Sequence, residues 1–165
     1  MPDRPIVRPA ARVLVLDPDG RVLLLGSRLV DSGKPPGDVQ FWYTPGGGVE
    51  DGESLRAAAV RELAEEIGLV VEPNRLEGPV WFRRHVWTFA GTSLDSRETF
   101  FVLRDVVHEV APVALTELEL LADEPHRWWA LDELTGGEQL VPAELPGLLP
   151  ELLCGPWSGP PRIVD

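Results

Sequence analysis

Residues 47–69 read GGVEDGESLRAAAVRELAEEIGL, and the reading of this stretch decides the fold. The apolar residues Ala59, Val60, Leu63 and Ile67 recur at helical spacing, while Glu62, Glu65 and Glu66 fall in a separate arc of about 100°. Ser54 is suited to cap the start of such a helix and Gly68 to stop it in a left-handed conformation. The glutamates work against the helix they lie on. Like charges three or four residues apart cost about 0.2–0.5 kcal/mol per pair, and the last turn is the negative end of the helix dipole. Glu50, Asp51, Glu53, Glu62, Glu65 and Glu66 stand against Arg56 and Arg61 alone. A solvated acidic face accounts for the charge but not for its clustering. A hard divalent cation such as Mg²⁺ or Mn²⁺ accounts for both, because it takes oxygen ligands and keeps waters that a phosphate can replace. Gly46, Gly47 and Gly48 add backbone that a ligand can approach with no side chain intervening.

Outward from the helix, ARVLVLD (11–17) and RVLLLGS (21–27) flank Pro18-Asp19-Gly20 and together predict a hairpin. Residues 30–40 read as a polar loop. FWYT (41–44) is a short strand broken by Pro45 and the three glycines. VWFRRHVWTFAG (80–91) and ETFFVLRDV (98–106) are expected as adjacent strands, with residues 91–97 as their connection. HRWWAL (126–131) reads as another strand, and residues 142–153 as a terminal helix despite Pro146 and Pro150. Composition divides the chain into a single domain over 1–155 and a Pro/Gly-rich tail over 156–165, extended or mobile. A mixed sheet between helices, an α/β fold, is the natural layering.

The 165 residues suit one domain, and the net charge of −12 argues against binding along a nucleic-acid polymer. It does not exclude a small phosphorylated substrate, since bound divalent ions invert the local field. Cys154 is the single cysteine, so no internal disulfide forms and a reducing compartment is expected. No run approaches membrane-spanning length and the N-terminus lacks a signal-like apolar core, which together predict a soluble cytoplasmic protein with no membrane partner. A homodimer is compatible with these observations.

Gly47, five residues, Glu53, seven residues, then Arg61-Glu62-Leu63-Ala64-Glu65-Glu66-Ile67-Gly68-Leu69 resembles the complete signature box of the Nudix hydrolases. Every specified position matches, and a chance match in a chain of this length is on the order of one in 10⁸. The strand before PGGG and the later HRWWALDEL (126–134) look like the family as well. The resemblance implies an α/β/α sandwich with a mixed sheet and a loop–helix–loop metal site. It implies hydrolysis of a nucleoside diphosphate linked to another group, X. It assigns metal binding to Glu62, Glu65, Glu66 and the Gly47 carbonyl, with Mg²⁺ or Mn²⁺ and more than one ion. Glu53 and Arg61 correspond to the pair that buttresses the helix; Arg61 also lies i, i+4 from Glu65, where its planar fork suits holding a carboxylate. A carboxylate then takes the proton of the attacking water. In the family this base is a box glutamate or one on a distant loop, and Glu98 in DSRETFF is the loop candidate.

Substrate markers beyond the box are missing. Arg84 and His85 stand where ADP-ribose-cleaving members carry a proline, Val86 and Trp87 where members acting on dinucleoside polyphosphates carry a tyrosine, and the upstream motif of coenzyme A-cleaving members is not evident. A nucleoside triphosphate or another nucleotide derivative remains as the small-molecule partner. The alternative is a non-catalytic Nudix-fold module that binds a nucleotide and regulates a partner, but such modules often lose box carboxylates and this chain has lost none. Trp42, Trp81 and Trp87 could stack a base, although core packing is the plainer expectation. Arg83 and Arg84 read equally as phosphate ligands and as solvated strand charges. Cys154 and the three histidines show no catalytic or metal-ligand spacing.

Overall fold

The computed structural model describes residues 4–28, 37–89, 91–111 and 125–165. In chain order its elements are β1 (Ile6–Val15), β2 (Val22–Ser27), β3 (Phe41–Tyr43), β4 (Gly46–Gly48), α1 (Leu55–Ile67), β5 (Glu77–Phe89), β6 (Thr92–Leu103), β7 (His126–Trp129), β8 (Leu140–Val141), α2 (Leu145–Leu153) and β9 (Arg162–Val164). They form two sheets, ordered β4-β1-β6-β5-β9 and β7-β2-β3-β8. Both are mixed: β1 runs parallel to β6, β9 to β5 and β8 to β3, and the other pairs are antiparallel.

The helix forms where its caps predict. The Ser54 side chain accepts the Ala57 N–H at 3.1 Å, and Gly68 sits at φ 70° with its N–H bonded to the Ala64 carbonyl. Its buried face, Ala58, Ala59, Leu63 and Ile67, packs on Ala11, Val13 and Val15 of β1 and on Phe101 and Leu103 of β6. The opposite face of the same strands, Leu14, Phe100 and Val102 with Trp81 of β5, packs toward Trp42, Trp129 and the α2 leucines 145, 149 and 152. The C-terminal parts of β1 and β6 are therefore covered on both sides, which is why residues 13–15 and 100–103 read as continuous apolar runs and not as alternation. The result is the expected α/β sandwich.

Four local expectations are corrected. The turn at Pro18-Asp19-Gly20 forms, with Asp17 N–H bonded to the Arg21 carbonyl at 3.0 Å, but β1 and β2 share only the isolated bridge Leu16–Val22. Beyond the turn they part into different sheets, because each is apolar on both faces and takes its own neighbours on both edges. The three glycines, expected as a break, are strand β4, paired with β1 through Ala10–Gly48, Ala11–Gly47 and Arg12–Gly46. Residues 92–97, expected as connection, belong to β6, where they pair with residues 84–89 of β5. The tail residues 162–164 form β9 alongside Trp81, Phe82 and Arg83, and Trp157 packs against the core. The terminal helix spans Leu145–Leu153, with Pro146 in the first turn, where a missing N–H costs nothing, and Pro150 inside. Most of the polar loop expected at 30–40 lies outside the described residues. Among the described residues no helix is long and apolar enough to cross a membrane.

Candidate active site

β4 runs beside the C-terminal half of α1, and the absence of side chains lets the two come close. A Cβ built on Gly47 would lie 2.5 Å from Glu62 Oε1, so the Glu62 carboxylate rests directly against the glycine backbone. One residue earlier, the Gly46 N–H donates to Glu66 Oε2 at 2.7 Å. Two of the three helix glutamates are thus seated on the glycine strand.

Arg61 supplies the compensation that the clustered acids require. Its Nε and Nη2 donate to the two oxygens of Glu53 at 3.0 and 3.1 Å, its Nη1 to Glu62 Oε1 at 2.9 Å and Glu65 Oε2 at 3.2 Å, and its Nη2 also to the Gly48 carbonyl at 2.9 Å. One planar guanidinium joins the loop before the helix, two helix carboxylates and the glycine strand. The electrostatics follow. The hydrogen bonds from Arg61 hold the Glu53 carboxyl below the usual glutamate range, helped by the Glu50 N–H. Burial pushes Glu62 up; Arg61 opposes that shift and Glu65 adds to it. Hydrogen bonding to Glu53 raises Arg61 above its already high value.

Glu62 and Glu65 turn toward Arg61, and among the described residues no three acidic, histidine or cysteine side chains close into a metal cage. The donor set nonetheless suits a hard divalent cation: it is all oxygen, carries a surplus of negative charge, and borders a glycine backbone that a side chain would fill. Glu62, Glu65, Glu66 and the Gly47 carbonyl are the groups that fit.

Glu98, expected on a loop, lies inside β6 and is 6% exposed. Its Oε1 accepts from Arg12 Nε and its Oε2 from Arg83 Nη1, both at 3.0 Å. Burial raises its pKa, but the charges and hydrogen bonds of the two arginines outweigh this and hold it below the usual range. Arg12, which sequence reasoning did not single out, reaches on to the Gly46 carbonyl at 2.6 Å. Its signal was there: a lone charge in the otherwise apolar run ARVLVL. An open cavity of about 290 Å³ lies beside Glu66, bordered also by Arg12, Tyr43, Thr44 and Phe100.

The remaining candidates separate cleanly. Trp42 packs edge-on against Trp129 and Trp81 against Phe100, all in the core, whereas Trp87 is partly exposed on the β5–β6 ribbon. Arg84 forks onto Asp95 at 2.7 and 3.1 Å. His108 Nε2 bonds the Ile67 carbonyl at the end of α1. Cys154 is exposed beyond α2.

Comparison with known proteins gives a consistent result. The model of the NUDIX domain family matches residues 7–151. The chain is 36% identical over 156 residues to the RNA pyrophosphohydrolase of Caulobacter vibrioides (strain NA1000 / CB15N), covering 85% of this chain and 80% of that protein. It is 33% identical over 114 residues to the RNA pyrophosphohydrolase of Novosphingobium aromaticivorans, covering 54% and 67%. Among solved structures, the MutT protein from Methanosarcina mazei Go1 superposes with a TM-score of 0.58 at 19% identity, over 92% of this chain and 96% of that one. The E. coli dihydroneopterin triphosphate pyrophosphohydrolase gives 0.54 at 22% identity, over 77% and 84%. At these identities the structural likeness speaks for the fold alone.

Proposed function

The chain belongs to the Nudix family, and from that premise we propose that it hydrolyses a phosphoanhydride in a nucleoside diphosphate linked to another group. One observation carries the proposal: Arg61 gathers Glu53, Glu62 and Glu65 onto the glycine strand on which Glu66 is also seated. Glu62, Glu65, Glu66 and the Gly47 carbonyl would hold Mg²⁺ or Mn²⁺. When bound, such ions neutralise the diphosphate and acidify a water. Glu53 and Arg61 keep the helix carboxylates in register with the strand, so that positioning and charge stabilisation carry most of the work, as in phosphoryl transfer generally. A helix carboxylate takes the proton of the attacking water. Glu98 is less suited to that task, since both of its oxygens are engaged and its pKa is lowered.

A second reading of the group X has its own support. The Caulobacter relative is an RNA pyrophosphohydrolase, so the substrate here would be the triphosphate end of an RNA. The net charge of −12 weighs against holding the polymer backbone, and recognition would rest on the terminal nucleotide and its phosphates. A purely regulatory module is opposed by the complete set of carboxylates.

The test offers a nucleoside monophosphate, a nucleoside triphosphate, a sugar-linked nucleoside diphosphate and a 5′-triphosphate RNA, with Mg²⁺ or Mn²⁺ in heavy-oxygen water, and weighs the products. A pair of phosphorylated products, or pyrophosphate with a monophosphate end, is the expected outcome. Turnover of the RNA alone selects the second reading. Release of inorganic phosphate from the monophosphate contradicts the proposal, and no turnover of any substrate favours the regulatory module.

A further inference from the structure

Arg12 sits in the buried half of β1, between Ala11 and Val13, where a charge is costly unless fully answered. It is answered by a line of bonds that ends at the helix. Arg83 Nη1 donates to Glu98 Oε2 at 3.0 Å, and Arg12 Nε to Glu98 Oε1 at 3.0 Å. Arg12 Nη1 donates to the Gly46 carbonyl at 2.6 Å, and the Gly46 N–H donates to Glu66 Oε2 at 2.7 Å. The line is largely enclosed: side-chain exposure is 12% for Arg83, 6% for Glu98 and 23% for Arg12.

Gly46 needs holding. Its φ of 133° is one that residues with side chains rarely adopt, and a Cβ there would lie 2.1 Å from the Ala11 carbonyl oxygen. β4 is three residues long and stands at the edge of its sheet, so its ladder to β1 fixes it weakly. Side-chain bonds to both the N–H and the carbonyl of Gly46 supply what the ladder lacks.

We propose that Arg12 is a positioning residue of the hydrolytic site, fixing the Gly46 peptide and through it the Gly47 carbonyl and the Glu66 carboxylate, with Glu98 as its anchor. The inference rests on the reading above, which makes Gly47 and Glu66 functional. Glu98 serves here to hold Arg12 and takes no proton from water.

The test compares the wild type with Arg12→Ala, Arg12→Lys, Glu98→Gln and the double variant Arg12→Ala/Glu98→Gln. Steady-state kinetics use whichever substrate the panel identifies. Mn²⁺ binding to the nucleotide-free protein is followed separately, by the paramagnetic resonance of the free ion. Arg12→Ala is expected to lower kcat by about 10- to 100-fold with KM within about threefold, as a small misplacement of catalytic groups does. It should weaken Mn²⁺ binding by about tenfold, as loss of an outer-shell partner does. Arg12→Lys should recover only part of both, because an ammonium cannot reproduce the fork that spans Glu98 and the Gly46 carbonyl. Glu98→Gln should show a milder form of the same loss and add nothing in the Arg12→Ala background. If Arg12→Ala does not fold, Arg12→Lys and Glu98→Gln carry the comparison, with kcat and Mn²⁺ affinity falling together.

A raised KM with kcat and Mn²⁺ affinity unchanged would make Arg12 a substrate contact and overturn the inference. So would a Glu98→Gln loss that adds in full to that of Arg12→Ala, since Glu98 would then act on its own. An active wild type with an unaffected Arg12→Ala removes the inference and leaves the proposed function standing. A wild type that neither binds Mn²⁺ nor turns over any substrate removes both.

Discussion

Arg61 shows how one side chain settles a conflict written into the sequence. Three glutamates crowd the C-terminal half of α1, two of them in the last turn where negative charge is unfavourable, and one guanidinium bonds two of the three together with Glu53 and the Gly48 carbonyl. Its five bonds to Glu53, Glu62, Glu65 and the Gly48 carbonyl take up all five N–H donors of the guanidinium, so its loss should disturb catalysis and not substrate affinity. Arg61→Lys keeps the charge and loses the fork; kcat is expected to fall by about 10- to 100-fold while KM changes by less than about threefold. A large rise in KM at constant kcat, read from the same steady-state measurement, would place Arg61 on the substrate instead. The Arg61–Glu65 pair was legible as an i, i+4 spacing, and the Glu53–Arg61 pair only through the family resemblance. The lone charge of Arg12 in an apolar run was visible, but its place in the site was not. Its partners Gly46 and Glu98 are 34 and 86 residues away, and only the pairing of β1 with β4 and β6 brings them together.

At the scale of elements, α1 was fully readable, since its caps and its apolar period are local signals that its packing reinforces. β4 was not. Glycine is depleted in strands, so three in a row read as a break; here they form a strand because a helix carboxylate must come against the backbone. The two glycines closest to the carboxylates should fail differently. At Gly47 an added Cβ meets the end of the flexible Glu62 side chain, which can move at little cost to the fold but not without leaving its seat. Gly47→Ala should therefore lose most activity and melt within a few degrees of the wild type. At Gly46 an added Cβ meets the Ala11 backbone in a conformation unfavourable to any side chain, so Gly46→Ala should destabilise by about 2 kcal/mol or more. Thermal melting and turnover of the two variants side by side check the contrast; equal loss of stability in both would contradict it. The β1–β2 hairpin was misread for a related reason. The turn was correctly placed, but sheet membership depends on neighbours that no local pattern names.

Over the whole molecule, the C-terminal segment was the least legible part. Its Pro/Gly-rich composition reads as a tail, yet Arg104 of the β6 end bonds the Leu152 and Gly155 carbonyls while forking onto Glu77 of β5, which also accepts the Trp157 N–H. This junction should make stability pH-dependent. The hydrogen bonds from Arg104 hold the Glu77 carboxyl below the usual range, against the effect of partial burial. The folded state therefore binds its proton less readily than the unfolded chain. The stabilisation is fully present above the unfolded value of about 4.3 and is lost as pH falls through the lower folded value. The melting temperature of the wild type should exceed that of Glu77→Gln by a constant margin above about pH 5.5 and converge on it in acid; a margin that does not shrink would contradict the role given to Glu77. The central claim concerns the other end of the sheet, where the helix carboxylates serve hydrolysis more than folding. Its most direct test is Glu66→Gln, with turnover and metal-free melting temperature recorded on the same sample. The amide oxygen can still accept the Gly46 N–H while one charge leaves a repelling cluster, so the account predicts no turnover with a melting temperature equal to or slightly above the wild type's. Near-normal turnover would contradict it.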